Sequence, residues 1–246
     1  MYITHFRNLL HLYRNQVVVS VVCLFFVTTS FAQSAKGNYN YLDFQHKPYY
    51  FGITIGLNSS DYKTYLSKNY IQNDSISTVE SVKGPGFNLG IVSNLKIGEY
   101  FDVRFLPTLS FAERNIAYTA VKDYRADYQN KIESVFVELP FSVRFKSAPY
   151  YDKRLFVVGG IKYVFDVASD SRGRQINKLV KIAPTDFAVE YGVGVQFFFP
   201  YFIFSPEFKI SQGLNNILIY QNDLLQSQVI EKVLSRTFTI SLHFEG

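Results

Sequence analysis

The residue types that most often carry out chemistry are scarce in this chain. Histidine occurs four times, only His46 and His243 lie beyond residue 32, and Cys23 is the single cysteine. His243 shares one face of a β-patterned segment with Ser241, the pair that a nucleophile and its base would require. No HExxH motif or histidine pair indicates a metal. The sequence therefore predicts no catalytic, cofactor-binding or metal-binding residues, and a lipid-modifying enzyme built on His243 is the less favoured alternative.

A larger set of charged residues recurs at alternate positions along β-patterned segments. Acids and bases are nearly balanced in it, and buried charges are stable only when they are paired. Glu138 and Arg144 share one face of a segment, and Glu207 and Lys209 share one face of another. We expect the whole set to form an ion-pair network in a filled interior: Asp102, Arg104, Glu138, Arg144, Lys162, Asp166, Glu190, Glu207 and Lys209.

These charges lie in segments whose opposite face is apolar. The alternation of one apolar and one polar residue is typical of a half-buried strand. Phenylalanine (24) and tyrosine (19) are abundant and favour strands, whereas tryptophan is absent. Eight such segments are predicted, at residues 49–58, 86–95, 100–112, 134–146, 155–166, 186–199, 202–211 and 234–244.

The connections between the eight segments alternate in length. Residues 59–85, 113–133, 167–185 and 212–233 form long polar loops, whereas 96–99, 147–154 and 200–201 are short. Outer-membrane barrels have this pattern, with short periplasmic turns and long outer loops. Residues 48–246 are therefore predicted to form an all-β, eight-stranded antiparallel up-and-down transmembrane β-barrel in the outer membrane, with both termini periplasmic. An open sheet would leave edge amides unpaired in lipid, so the last segment should pair with the first.

A soluble barrel or sandwich with its apolar face inward is the competing architecture. The apolar positions are large in every segment, more bulk than one eight-stranded interior holds. The other face carries glycine, serine, threonine and charged residues, which suit a lumen better than a water-exposed surface. The membrane barrel is therefore the preferred prediction.

The first 32 residues have the features of a secretory signal. Arg7 and Arg14 precede an 11-residue apolar run at 17–27, which is short for a membrane span. Ser30 and Ala32 supply the small residues for cleavage after Ala32, and an uncleaved anchor is the alternative. Residues 1–32 are thus predicted to be a cleaved signal peptide and residues 33–47 a flexible periplasmic leader. Cleavage would remove the only cysteine, so the exported chain would form no disulfide.

Net charge gives little indication of a charged partner. Loss of Arg7 and Arg14 lowers the formal net charge from +5 to +3, without the basic stripe of a nucleic-acid-binding protein. We expect no nucleic acid, no small-molecule substrate and no cofactor, and we expect contact with outer-membrane lipid. Arg172, Arg174, Lys178 and Lys181 form a basic cluster, predicted to be a solvated loop near lipopolysaccharide, with partner docking as the alternative.

The stretch "GPGFNLG" at residues 84–90 superficially matches a glycine-rich phosphate loop. It lacks the lysine and the following helix that such a loop needs. The glycines are predicted instead to shape a turn and to leave the lumen wall bare.

Several stretches together resemble the PorT family of outer-membrane barrels. They are "KPYYFGITIGLN" (47–58), "VRFLPTLSFAER" (103–114), "FVELPFSVRFKS" (136–147), "VVGGIKYVFDVAS" (157–169), "FSPEFKISQGL" (204–214) and "FTISLHFEG" (238–246). The resemblance implies a non-enzymatic component of type IX protein secretion, and of gliding motility where present, acting as a structural or assembly subunit. It also implies other proteins of that machinery as partners. An adhesin or opacity-type barrel working through its long outer loops is the alternative.

Overall fold

The computed structural model describes residues 37–67, 76–120, 127–167, 181–220 and 229–246, with side chains described except at 76–79, 114–120, 127–134 and 181. The predicted signal peptide, residues 1–32, lies outside the described residues. Helix α1 spans Tyr39–Gln45. The strands are β1 (Tyr49–Leu66), β2 (Ile76–Ile97), β3 (Phe101–Phe105), β4 (Thr108–Ala120), β5 (Asp127–Lys146), β6 (Lys153–Asp166), β7 (Lys181–Ile182), β8 (Thr185–Phe198), β9 (Ile203–Gly213), β10 (Leu218–Ile219) and β11 (Ile230–Glu245).

Nine of these strands close into one antiparallel ring. β1 pairs with β2 on one side and with β11 on the other, and every other neighbouring pair in the ring follows chain order. The closing register places Thr54 opposite His243 and Gly52 opposite Glu245. β3 and β4 share the same two neighbours and count as one wall strand, so the barrel has eight strands as predicted. β7 and β10 form a separate two-stranded sheet.

The interruption between β3 and β4 lies at Leu106 and Pro107. Proline has no backbone N–H, so the ladder loses one donor there. The neighbouring strands still bond to this segment, because Leu106 N–H donates to the Pro140 carbonyl (3.2 Å) and the Pro107 carbonyl accepts from Ile91 N–H (3.0 Å). The predicted single segment at 100–112 is therefore two strands that act as one barrel wall.

The two faces of the wall differ as the alternation predicts. Outward residues are apolar and exposed, for example Leu57 (69%) and Leu155 (63%), whereas inward residues such as Arg104 and Arg144 are fully buried (0%). An apolar outer surface of this extent suits lipid and would be unstable in water. The soluble-barrel alternative is thus wrong, and the outer-membrane barrel is confirmed.

At the end opposite the short turns, the strands are longer than the sequence indicates. β1 continues to Leu66, paired with β11, and β2 begins at Ile76, paired with β4, so much of the predicted loop 59–85 is β-strand. β4 and β5 likewise occupy most of the predicted loop 113–133. Residues 84–90 lie inside β2, so the prediction that these glycines shape a turn is wrong. A Cβ on Gly86 would clash with the Phe111 carbonyl, which explains the glycine there.

Part of the predicted flexible leader is ordered. Helix α1 has seven residues, and no helix among the described residues is long and apolar enough to cross a membrane. Tyr41 and Phe44 of α1 pack against Tyr50, Phe198 and Ile203 at the short-turn end of the barrel. The expectation of a flexible leader over residues 33–47 therefore does not hold for Tyr39–Gln45.

Candidate functional site

The barrel interior contains a set of buried ion pairs that extends along most of its length. At its centre, Arg104 reaches two acids from other strands: Nη1 lies 2.9 Å from Glu207 Oε2, and Nη2 lies 2.6 Å from Glu245 Oε1. Arg144 Nη2 lies 3.3 Å from the same Glu245 oxygen, and its guanidinium carbon lies 4.1 Å from the centre of the Phe156 ring. These side chains fill the lumen at this level, because none of the four charged groups is more than 1% exposed.

Toward the long-loop end of the barrel, the ion pairs continue through two lysines. Lys209 Nζ lies 3.4 Å from Glu207 Oε1 and 3.8 Å from Glu190 Oε2. Lys162 Nζ then lies between Glu190 (3.2 Å) and Glu138 (3.0 Å). Each acid or base therefore has at least one partner of opposite sign on another strand, as low-dielectric burial requires.

Toward the short-turn end Lys146 and Asp102 form a separate ion pair. Lys146 Nζ lies 2.5 Å from Asp102 Oδ1, and the Tyr50 hydroxyl donates to Asp102 Oδ2 at 3.1 Å. Five cations and five carboxylates thus make up the described network. The cations are Arg104, Arg144, Lys146, Lys162 and Lys209, and the carboxylates are Asp102, Glu138, Glu190, Glu207 and Glu245.

Eight of the nine residues expected in the lumen network take part in these ion pairs. The ninth, Asp166, is half-buried at the end of β6 toward the long loops. Glu138 and Arg144 do not pair with each other, because six residues along a strand separate them by about 20 Å. Glu207 and Lys209 do approach each other, at 3.4 Å.

Sequence reasoning missed three members of this interior: Glu245, Lys146 and Tyr50. Each lies near the end of its strand, at a position where every second residue faces inward. Extending that alternation to the strand end would have identified it. Glu245 follows Thr237, Thr239, Ser241 and His243 on the inner face of β11.

His243 is fully buried beside the network. Its Nε2 lies 3.5 Å from Glu207 Oε1, and the residue is 0% exposed. A catalytic residue must reach its substrate, and the burial of His243 does not favour the enzyme alternative built on it. Among the described residues, no group of three or more histidine, cysteine or acidic side chains is arranged to hold a metal ion. Most of the Arg172, Arg174, Lys178 and Lys181 cluster lies outside the described residues.

Helix α1 covers the short-turn end of this interior. Its backbone Tyr41 N–H donates to Asp152 Oδ1 (2.9 Å), and Asp152 N–H donates to Asn38 Oδ1 (3.1 Å). Asp152 and Tyr151 both have positive φ values (56° and 47°), so a tight turn presents this carboxylate to the helix. Arg154 Nη1 donates to the Tyr41 hydroxyl (3.1 Å), and burial raises the pKa of Tyr41.

An apolar cluster occupies the inside of the barrel at the long-loop end. Its buried members are Tyr62, Ile217, Val229, Ile230 and Val233. Tyr62 and Val233 continue the inward parity of β1 and β11, so the cluster lies above the polar lumen. The described lumen therefore has an apolar cluster at one end, paired charges in its middle and a helix at the other end.

Comparison with known proteins agrees with this architecture. A family described as "Outer membrane protein beta-barrel domain" matches residues 31–218. No curated protein matches the chain.

Three solved structures are among those to which this chain is similar. OprG from Pseudomonas aeruginosa is 10% identical, with 82% of this chain and 97% of that one covered and a TM-score of 0.49. Ail, the attachment invasion locus protein of Yersinia pestis, is 14% identical, with 81% and 100% covered and a TM-score of 0.34. Neisserial surface protein A is 10% identical, with 78% and 95% covered and a TM-score of 0.39.

Proposed function

Because the chain belongs to the outer membrane protein beta-barrel domain family, we propose that it is a non-enzymatic, non-conducting barrel that serves type IX protein secretion as a structural or assembly subunit. The observation that carries this proposal is the filled lumen, in which five cations meet five carboxylates between a docked helix and an apolar cluster. The secretion role rests on the sequence resemblance to the PorT family.

A cargo protein would not pass through this interior. An eight-stranded barrel has room only for its own side chains. Opening a passage would separate buried ion pairs, each at a cost of about 3–5 kcal/mol. The barrel is therefore expected to act through its surfaces, which contact lipid and neighbouring proteins.

The short-turn end offers such a surface. Tyr201 (90% exposed), Tyr39 (76%), Tyr151 (60%) and Tyr150 (58%) project from turns and from helix α1. Tyrosine is enriched at protein interfaces, because it provides a large rigid surface with a polar end. We expect periplasmic components of the machinery to dock here.

A deletion strain tests the secretion role. We expect loss of type IX cargo from the medium, with rescue by the wild-type gene on a plasmid. Full secretion of cargo by the deletion strain would rule out the proposal. Conductance in planar bilayers tests the filled lumen separately: we expect none, and stable channels from the purified barrel would contradict a closed interior.

An adhesin is the second candidate, and the extended strands at the long-loop end favour it. Past the apolar band β1 stays paired with β11, and β2 stays paired with β4, which pairs with β5, so these strands form ordered outer projections. Shortening the connection between β1 and β2 within residues 59–85, or the loop within 212–233, would abolish surface binding and leave secretion intact if this candidate is right. The secretion role predicts no loss of adhesion in the same strains.

A further inference from the structure

We propose that a cavity at the short-turn end of the barrel binds a phosphate group, carried by a phospholipid headgroup or free in solution. The cavity has a volume of about 250 Å³, which accommodates a phosphate with part of its ester substituent. It lies between helix α1, the β2–β3 turn and the beginning of β6. The residues that line it include Tyr41, His46, Lys96, Glu99, Lys146 and Arg154.

Two of the lining cations differ from every cation in the ion-pair network. Arg154 is 2% exposed, yet all three of its hydrogen bonds go to neutral oxygens: the Ser147 carbonyl (2.7 Å), the Tyr41 hydroxyl (3.1 Å) and the Glu99 carbonyl (3.1 Å). Lys96 is half-buried, and its amine donates to the Phe44 carbonyl. No described carboxylate lies within ion-pair distance of either cation.

The charge balance of the cavity is therefore positive. Lys146 adds a third cation, but Asp102 neutralises it at 2.5 Å. Glu99 is the only acid that lines the cavity among the described residues, and its side chain is on the exposed rim. A buried guanidinium without a counter-charge is costly, and an anion in the cavity would relieve that cost.

The donors suit a phosphate in particular. The amine of Lys96 and the guanidinium of Arg154 supply the two kinds of cation that bind phosphate oxygens. The Tyr41 hydroxyl accepts from Arg154, which leaves its own O–H free to donate to an anion. Each of the three groups belongs to a different element, so helix α1 must be docked for the site to exist.

The position of the cavity makes both sources of phosphate accessible. Outward aromatic residues, among them Tyr49, Phe51 and Phe101, surround this end of the barrel at the level of the lipid headgroups. A headgroup phosphate from the adjacent leaflet could enter from the side, and a soluble phosphate could enter from the aqueous phase.

The test measures thermal unfolding of the full chain in maltoside micelles, which contain no phosphate. One arm compares inorganic phosphate with chloride at equal ionic strength. The other compares phosphatidylglycerol with diacylglycerol of the same acyl chains. A ligand of the folded state raises the unfolding temperature. A rise with the lipid alone identifies the headgroup, a rise with both ligands identifies an open phosphate site, and a rise in neither arm overturns the proposal.

Matched variants locate the site. Lys96→Gln should weaken phosphate affinity about tenfold, as expected for one charge-assisted hydrogen bond, and Lys96→Arg should retain most of it. Lys153→Gln removes the same charge from an exposed position at the same end and should leave the affinity unchanged. Equal losses in Lys96→Gln and Lys153→Gln would show a general charge effect and overturn the assignment of the cavity.

Discussion

Glu245, one residue from the end of the chain, lies 2.6 Å from Arg104, although 141 positions separate the two in sequence. The same carboxylate also accepts a hydrogen bond from Arg144 (3.3 Å), so one acid of the closing strand serves two buried guanidinium groups. Closure of the barrel and neutralisation of its interior are therefore achieved by the same strand.

Glu245→Gln should destabilise the barrel strongly. The amide keeps the shape of the side chain but leaves Arg104 and Arg144 short of one negative charge, at a cost of about 3 kcal/mol or more. The free energy of unfolding in micelles, measured by urea titration, checks this. Glu231→Gln is the control, because Glu231 is exposed and its substitution should change stability by less than about 0.5 kcal/mol. Equal stability of the two variants would contradict the buried network.

Two adjacent glycines should respond in opposite ways to alanine. A Cβ on Gly160 would come within 2.6 Å of the Ser142 Cα, whereas a Cβ on Gly159 meets open space on the lipid side. Gly160→Ala should cost about 1–3 kcal/mol through overpacking. Gly159→Ala should be neutral or slightly stabilising, because alanine has less freedom to lose on folding. The midpoint of heat-modifiable gel migration measures both, and the reverse order would mean that the faces are assigned incorrectly.

Phe44→Ala should release helix α1 and leave the barrel folded. Phe44 is 2% exposed, and truncating its side chain would remove about 3 kcal/mol of packing free energy. A helix of seven residues is not stable without such packing, so it would leave the barrel. Limited proteolysis should then cut within residues 37–47 while the barrel still migrates as folded. Leu42→Ala, at an exposed position of the same helix, should remain protected. Resistance of Phe44→Ala to proteolysis would argue that the helix is held by other contacts.

Docking of helix α1 should weaken at alkaline pH. Burial raises the pKa of Tyr41, so the docked state favours the protonated hydroxyl more than the undocked state does. Its contribution is fully present below the ordinary tyrosine pKa of about 10 and is lost as pH rises through the raised value. Protease sensitivity of the leader, measured against pH, reports this loss. Phenylalanine cannot ionise, so Tyr41→Phe should remove the rise in protease sensitivity at alkaline pH. The same rise in the variant would assign the effect to another group.

Hydrophobic alternation was sufficient to predict the barrel, because lipid and lumen impose opposite demands on neighbouring residues. The same rule explains why the strand ends were missed. Beyond the bilayer the outward side chains need not be apolar, so Asp61, Lys63 and Tyr65 in β1 give no clear period. Pairing with β11 continues there nonetheless, as far as Leu66.

The sequence predicts which charged residues face the barrel interior better than it predicts which of them form ion pairs with each other. Parity places Glu138 and Arg144 inward, but the register between strands decides that Glu138 meets Lys162 and that Arg144 meets Glu245. Helix α1 was missed because its seven residues have no strong helical signal. Its stability comes from contacts with Tyr50 and Phe198, which are distant in sequence and invisible to local patterns.

The length of β2 sets a physical height above the cell surface. Its 22 residues extend about 70 Å at 3.3 Å per residue, or about 55 Å along the membrane normal at a tilt of about 40°. Hydrocarbon accounts for about 30 Å of that distance. The remainder, paired with β4 and through it with β5, is a stiff three-stranded extension about 25 Å tall, which would hold whatever its tip contacts at a fixed distance from the bilayer.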